Sequence, residues 1–246
     1  MSIYKKIAIG VISILILVIL ANFGLNYWIK KQLPIIINEK NTTAYNINYE
    51  KIEVELLSRN IYANTLLVSP KNQPKDSKNG LFSKIESITI KHFNIWDLAF
   101  NDVIEAESII INKPRVILYK KGEKLINDSK SIKKEIVEPF RKIVSVSNIY
   151  LNDGTVDVVS LDSDKPILSV KKIIFKLEGI LITDATLKEK IPVQYESYAL
   201  VIDSLFYRQN AFYHMNIGKI STEKNFLNIN NFSYIPQFNR PDFIKQ

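Results

Sequence analysis

The chain has 246 residues, of which 46% are hydrophobic and 24% charged, and it contains no cysteine. This composition excludes a disordered protein, disulfide bonds and thiol chemistry, and its length allows one large domain or two small ones. A formal net charge of +8 would permit nucleic-acid binding. The basic residues are scattered among predicted strands instead of lying on one helix face, so we expect solvated strand faces and no nucleic-acid partner.

The N-terminal part of the chain has the composition of a membrane anchor. Residues 7–27 carry no charge and are rich in Ile, Leu and Val. About twenty such residues in a helix cross the ~30 Å hydrocarbon layer. A cleaved signal peptide fits less well, because no small residue stands three positions before cleavage at Ala21 or Gly24. The predicted anchor residues are Ile7, Leu15, Leu17, Leu20 and Trp28.

This anchor divides the chain into four parts. Residues 1–6 form a cytoplasmic tail, 7–27 the transmembrane anchor, 28–43 a juxtamembrane helix and 44–246 a β domain. A tail this short ahead of a first span usually stays in the cytoplasm. The sequence therefore predicts a single-pass membrane protein with most of its chain outside the cytoplasm.

The β domain is predicted from alternating apolar residues. Strands are expected over 45–56, 60–68, 85–95, 103–111, 115–120, 167–182, 193–207, 212–221 and 226–234. Residues 144–158 read as a hairpin that turns at Asn152-Asp153-Gly154, and Asn112-Lys113-Pro114 is predicted as a corner of the same kind between strands 103–111 and 115–120. Short helices are expected near 132–143 and 184–190. The fold class is mainly β, a long antiparallel sheet in sequential order with two or three short helices.

One apolar pattern recurs along this domain: apolar-x-apolar, a polar pair, then apolar-x-apolar. The segment from Val144 to Leu151 has it, and so does the segment that begins 40 residues earlier at Ile104. There are seven full copies, whereas composition alone would give roughly three. The skipped pair, such as Ser147-Asn148, predicts a bulge that bends the strand. Repeated bends favour a curled, gutter-shaped sheet.

Enzyme signatures are nearly absent from the sequence. It has no phosphate-binding glycine loop, nucleophile elbow or HExxH motif. His92 and His214 lie in predicted strands, where a solvated or packed histidine is far commoner than a ligand. Glu105 and Glu107 share a strand, and Asp162-x-Asp164 lies on a turn, too few carboxylates for a metal site. We expect no catalytic residue, no metal and no cofactor.

Three segments resemble the AsmA-like proteins of Gram-negative envelopes, which include TamB and are related in architecture to bridge-like lipid transfer proteins. They are YNINYEKIEVEL (45–56), IEAESIIINKPRVILYKKGEKLIN (104–127) and VSNIYLNDGTVDV (146–158), where Pro114, Gly122 and Gly154 match the family pattern. The resemblance implies a U-shaped sheet with an apolar interior that takes part in phospholipid movement or outer-membrane assembly. It also implies a single-pass protein of the inner membrane whose β domain lies in the periplasm. It implies no catalytic residues.

The leading hypothesis is an apolar β groove that contacts phospholipid or another lipid with acyl chains. The predicted wall residues are Ile104, Ile109, Ile111, Val144, Val146, Ile149 and Leu151. The same residues would equally form an ordinary core. The alternative is therefore an anchored envelope scaffold whose core is filled and whose surface binds a protein partner, and other envelope proteins are possible partners in either case.

Overall fold

The fold is taken from a computed structural model of the chain. It describes residues 3–39, 41, 44–71, 79–101, 104–121, 144–182, 186, 193–210, 212–223 and 226–237. Two helices are present in these ranges, α1 (Ile3–Glu39) and α2 (Ile95–Phe100). The strands are β1 (Tyr45–Glu55), β2 (Asn60–Pro70), β3 (Gly80–Lys91), β4 (Ile104–Asn112), β5 (Arg115–Lys120), β6 (Val144–Ser160), β7 (Pro166–Glu178), β8 (Ser197–Ile202), β9 (Ser204–Arg208), β10 (Tyr213–Glu223) and β11 (Phe226–Pro236).

All eleven strands belong to one sheet, which confirms the mainly β fold class. The order is β1-β2-β3-β4-β6-β7-β8-β10-β11, with β5 and β9 continuing the lines of β4 and β8. The sheet therefore has nine strand positions. Most neighbours are antiparallel, as predicted, but β6 runs parallel to both β4 and β5. The sheet is mixed, and the prediction of a wholly antiparallel order is wrong at this junction.

The parallel junction follows the sequence repeat directly. Ile104 pairs with Val144 and Lys120 with Ser160, so every residue of β4 and β5 lies beside the residue 40 positions later. The two copies of the pattern thus align side by side. The predicted turn at Asn152-Asp153-Gly154 is wrong, because β6 passes straight through it. The predicted helix at 132–143 lies outside the described residues.

One residue in each strand position is left out of the pairing with its neighbours, and these residues form a row across the sheet. We call this row the crease. Its residues are Glu50, Thr65, Glu86, Lys113, Asp153, Lys172, Asp203, Gly218 and Asn231, which are left out of the strand ladders. Five of them have a positive φ between 46° and 56°: Thr65, Lys113, Asp153, Lys172 and Asn231. In most pairs the register is unchanged on the two sides, because both strands carry one extra residue at the same level.

The extra residue shifts the alternation of every strand at the crease. In β1 the side chains of Ile47 and Tyr49 before it, and of Ile52 after it, are partly buried, and Val54 is buried. Strict alternation would place Ile52 and Val54 on the opposite face, because three positions and not two separate Tyr49 from Ile52. The polar pairs of the sequence pattern thus keep one face apolar along the whole strand. At Ser147, the predicted bulge site, the β4–β6 ladder is likewise interrupted, opposite Glu107.

The N-terminal helix α1 runs without interruption from Ile3 to Glu39. In the part of the chain that the structure describes, no helix combines the length and apolar character that crossing a membrane requires. The predicted transmembrane anchor over residues 7–27 is therefore wrong, and so is the single-pass inner-membrane localisation derived from it. The physical reason is that the apolar run is not a separate span: the helix continues through Asn22, Asn26 and Lys30 into the core.

The residues assigned to that anchor have different surroundings in α1. Trp28 packs against the core cluster of the sheet, and its neighbour Ile29 has no exposed surface. Leu15, Leu17 and Leu20 are exposed. The side chain of Ile7 lies outside the described residues. The helix predicted after the anchor is part of α1, and Trp28 and Ile29 are structural contacts of that helix with the sheet.

The short helix α2 was not predicted, because six residues are too few for a periodic pattern. The Asn94 side chain caps it and accepts hydrogen bonds from the backbone N–H groups of Trp96 (3.1 Å) and Asp97 (3.5 Å). Leu98 of α2 is buried, as is Phe93 before it. The two helices therefore close one end of the sheet with a compact core, which consists of Ile29, Val54, Ile61, Phe93, Leu98, Ile104 and Ala106.

Gly179, just after β7, occupies a position that requires glycine. Its φ is +65°, and an added Cβ would lie 2.3 Å from Cγ of Glu196 and 2.7 Å from its Cβ. We expect Gly179→Ala to lower the free energy of unfolding by about 1–2 kcal/mol, as measured by denaturant titration.

A matched control is Gly24→Ala in α1, where an added Cβ has nothing within 4 Å. Because glycine is disfavoured inside a helix, this change should raise stability by about 0.5–1 kcal/mol. Equal effects of the two substitutions would contradict the assigned backbone conformation of Gly179.

Candidate functional site

The predicted wall residues lie side by side on the parallel strands β4 and β6. Ile104 pairs with Val144, Ile109 with Ile149, and Ile111 with Leu151. Val146 faces Ala106 in the same ladder. The structure therefore places all seven residues in two adjacent strands at matching levels, although nothing is described of the Val144 side chain.

These residues differ in what covers them. Ile104 is only 3% exposed and belongs to the core cluster under α1 and α2, and Val146 packs against that cluster. Ile109, Ile111, Ile149 and Leu151 are partly buried and do not belong to it. Ile104 and Val146 are thus core residues, while the other four continue the same face beyond the helices. We call this side of the sheet the apolar face.

The apolar face extends over the whole width of the sheet. Successive strand pairs connect one row of residues that crosses all nine strand positions on one side of the crease, in which Ser83 is the only polar member. The row is Ile47, Val68, Ser83, Val116, Val156, Val170, Leu205, Ile217 and Phe232. A sheet face so uniformly apolar must be covered or must bind something apolar.

A second row runs along the other side of the crease. It consists of Ile52, Ala63, Ile88, Ile111, Leu151, Phe175 and Leu200. Two predicted wall residues, Ile111 and Leu151, are central members of it. The wall predicted from the sequence was therefore a small part of a larger surface. The signal for the rest was available, because the recurring pattern marks the apolar residues of nearly every strand.

The two edges of the sheet differ in how far the apolar face is covered. The core cluster that α1 and α2 complete draws its strand residues from β1, β2 and β4. At the other end, the β11 residues of the same face are exposed: Leu227 by 60%, Ile229 by 48% and Phe232 by 60%. Tyr234 lies in the same alternation and stacks on Tyr213. Among the described residues, the apolar face is thus closed at the β1 end and open at the β11 end.

The opposite face of the same strands is more polar and carries charge pairs, although Phe82, Ile117 and Ile174 also lie on it. Lys176 lies 5.6 Å from the centre of the Tyr150 ring and 2.7 Å from Glu178. The hydrogen bond from Lys176, followed by the one from Ser197, lowers the pKa of the Glu178 carboxyl. Ile110, which pairs with Tyr150, also lies on this face. The two sides of the sheet therefore differ, because the opposite face carries charge pairs and the two apolar rows carry none.

The titratable residues singled out in the sequence have local partners. His92 lies 2.5 Å from Glu107 in an exposed pair. The pKa of Glu105 is raised because its carboxyl shares a hydrogen bond with Asp97 and is repelled by its charge. Asp162 and Asp164 are exposed in the loop between β6 and β7. Within the described ranges, no three His, Cys, Asp or Glu side chains are grouped to hold a metal ion.

Comparison with known proteins adds no further assignment. No protein-family model matches the chain, and no curated protein matches it. The resemblance to the AsmA-like proteins therefore stays a prediction. The candidate site is a broad apolar face that is covered at one end and open at the other. It lies on a sheet whose opposite side carries polar residues and charge pairs.

Proposed function

We propose that the apolar face is a groove that binds the acyl chains of phospholipids and takes part in moving them. The observation that carries the proposal is the row from Ile47 to Phe232, which is apolar except for Ser83, crosses all nine strand positions and ends in the exposed Phe232 of β11. An acyl chain gains about 0.8 kcal/mol for each CH₂ that it buries. A continuous row lets a chain slide along the face with little change in its surroundings.

The crease provides the shape that such a groove needs. Coordinated extra residues bend strands and increase their coiling. We infer that the two halves of the sheet tilt towards each other on the apolar side, so that the rows on each side of the crease become opposite walls of a U-shaped gutter. Nine strand positions at a spacing of ~4.8 Å give a gutter of about 40 Å. This exceeds the ~15 Å that one leaflet's acyl chains span.

The resemblance to AsmA-like proteins supports the same function. The segments that carry it include β1, β4, β5 and most of β6. Lipid movement or outer-membrane assembly is what that resemblance implies, and an apolar gutter suits it. The rival is a filled core beneath a protein-binding scaffold, which the experiment below separates from a lipid groove.

The test uses photocrosslinking from single sites in the full chain. A photoreactive amino acid at Ile109, Ile149 or Leu151 should capture phospholipid in cells, detected by mass spectrometry of the purified protein. The matched control is Ile110, an apolar residue of the same strand on the opposite face. We expect at least about tenfold more lipid adduct at Ile109 than at Ile110, because neighbouring strand residues face opposite sides.

Two results would overturn the proposal. Equal lipid capture at Ile109 and Ile110 would mean unspecific contact with lipid. Capture of neighbouring parts of the chain alone would mean that the face is a filled core, which is the scaffold alternative.

A further inference from the structure

The last strand, β11, is an edge with unusual composition. It pairs with β10 and, among the described strands, with no other. Its eleven residues, FLNINNFSYIP, contain no charged side chain. Its exposed apolar residues are Phe226, Leu227, Ile229, Phe232, Tyr234 and Ile235, with exposures from 39% to 73%. A free row of backbone donors and acceptors beside such residues is a template for pairing with another strand.

The opposite edge shows how this protein protects a free strand. β1 carries Glu50, Lys51, Glu53 and Glu55, and Lys51 pairs with Glu53 at 2.5 Å. Charges on an edge strand oppose unwanted pairing. β11 lacks such charged side chains, which indicates that its edge is covered in the functional protein.

The crease restricts what can pair there. In the strand pairs of this sheet, the crease residue of one strand lies opposite the crease residue of the next or one position from it, and apolar residues lie opposite apolar residues, as for Ile217 and Phe232. An incoming strand must therefore carry the same one-residue shift at its centre. β11 itself has this shift between Ile229 and Phe232. A second copy of β11 therefore meets the requirement for a strand that pairs with β11.

We propose that two copies of the chain join through antiparallel pairing of β11 with β11, centred on Asn230 and Asn231. In this register Ile229 of each copy faces Phe232 of the other, and Leu227 faces Tyr234. Asn228 faces Ser233 on the polar side. The contact is two-fold symmetric, as most homodimer interfaces are. Its formation joins two sheets into one with a continuous apolar face, and it stands whether or not that face binds lipid.

Disulfide trapping tests the register, since the chain has no cysteine of its own. Asn228→Cys and Ser233→Cys proteins, mixed and oxidised, should give at least about tenfold more disulfide dimer than either alone, because only the mixed pair is directly opposite. The matched control is Asn48→Cys mixed with Glu53→Cys, the equivalent positions of β1, which should not crosslink. Equal yields at the two edges, or self-crosslinking of either β11 variant, would overturn the register.

Charge reversal tests the interface without crosslinking. The double variant Asn228→Lys/Ser233→Lys places two lysines opposite each other at two places in the dimer. Because like charges repel, this variant should sediment as a monomer. Asn228→Lys/Ser233→Glu changes the same positions but places opposite charges together and should remain a dimer. A wild-type chain that sediments as a monomer at all concentrations, or two variants that behave alike, would refute the proposal and leave the edge to a different partner.

Discussion

Replacing Phe93 by alanine is expected to lower the free energy of unfolding by about 3–5 kcal/mol, the usual cost of removing a buried phenylalanine ring. Phe93 has no exposed surface and lies in the cluster that joins α1 and α2 to the sheet, with Ile29, Leu98 and Ile61 among its members. Because three separate elements contact this cluster, none can move alone to fill the cavity. Denaturant titration measures the change.

The control for this substitution is Phe100→Ala in α2. Phe100 is 75% exposed and stacks on Trp96 with ring centres 5.8 Å apart. Its removal should cost less than about 1 kcal/mol, as for most surface changes. Comparable losses for the two phenylalanines would mean that the helices do not close the sheet as described.

Inserting one alanine after Asp153 is expected to remove the cooperative fold altogether. The insertion adds a second extra residue to β6, so Val156 and Val158 would turn to the polar side and Thr155 and Asp157 to the apolar side. Val158 is only 4% exposed, and β6 lies in the middle of the sheet. Misplacing its second half should cost more than about 5 kcal/mol, which is comparable to the whole stability of a domain. Circular dichroism and soluble yield report the outcome.

Asp153→Gly is the matched control, because it keeps the number of residues. Asp153 has a φ of 55°, a conformation that glycine adopts without strain. We expect this variant to fold with stability within about 1 kcal/mol of the parent. An insertion variant that folds as well as the glycine variant would show that the crease does not set the faces of β6.

Most strands were predictable because their signal is local. The alternation over Asn60–Val68 and Arg115–Lys120 marks β2 and β5 closely, since side chains of a strand alternate whatever the partner. The beginning of β3 was missed by five residues. Gly80 to Lys84 is paired to Arg115–Tyr119, and this long-range contact extends the strand beyond its own periodic signal.

The sequence pattern predicts two different structures along the crease. The polar pairs at Thr65 and Lys172 predict bulges, whereas Lys113-Pro114 and Asp153-Gly154 predict turns. Residues of these types are typical of turns. Lys113 donates its backbone N–H to the Asn152 carbonyl at 2.8 Å, so the two suspected turns hydrogen-bond to each other as neighbouring strands. Only the identity of the partner strand distinguishes a turn from a crease.

The seven wall residues illustrate the same limit for the site. Their common face follows from alternation and could be predicted. That Ile104 is core whereas Ile109 and Ile149 continue beyond the helices depends on where α1 and α2 pack, which no local pattern specifies. The predicted anchor was wrong for a related reason, because apolar composition over 7–27 does not show whether a helix ends there or continues into a core.

The sequence by itself determined the strands, the apolar face of each strand and the extra residue that keeps that face on one side. These properties depend on neighbours a few positions apart along the chain. The tertiary structure decided that the extra residues align in one crease and that β11 is left as an uncharged edge. It also decided that β6 pairs in parallel with β4 and β5, at an offset of 40 residues. Such features depend on which distant strands meet, because pairing register is a long-range property of the sheet.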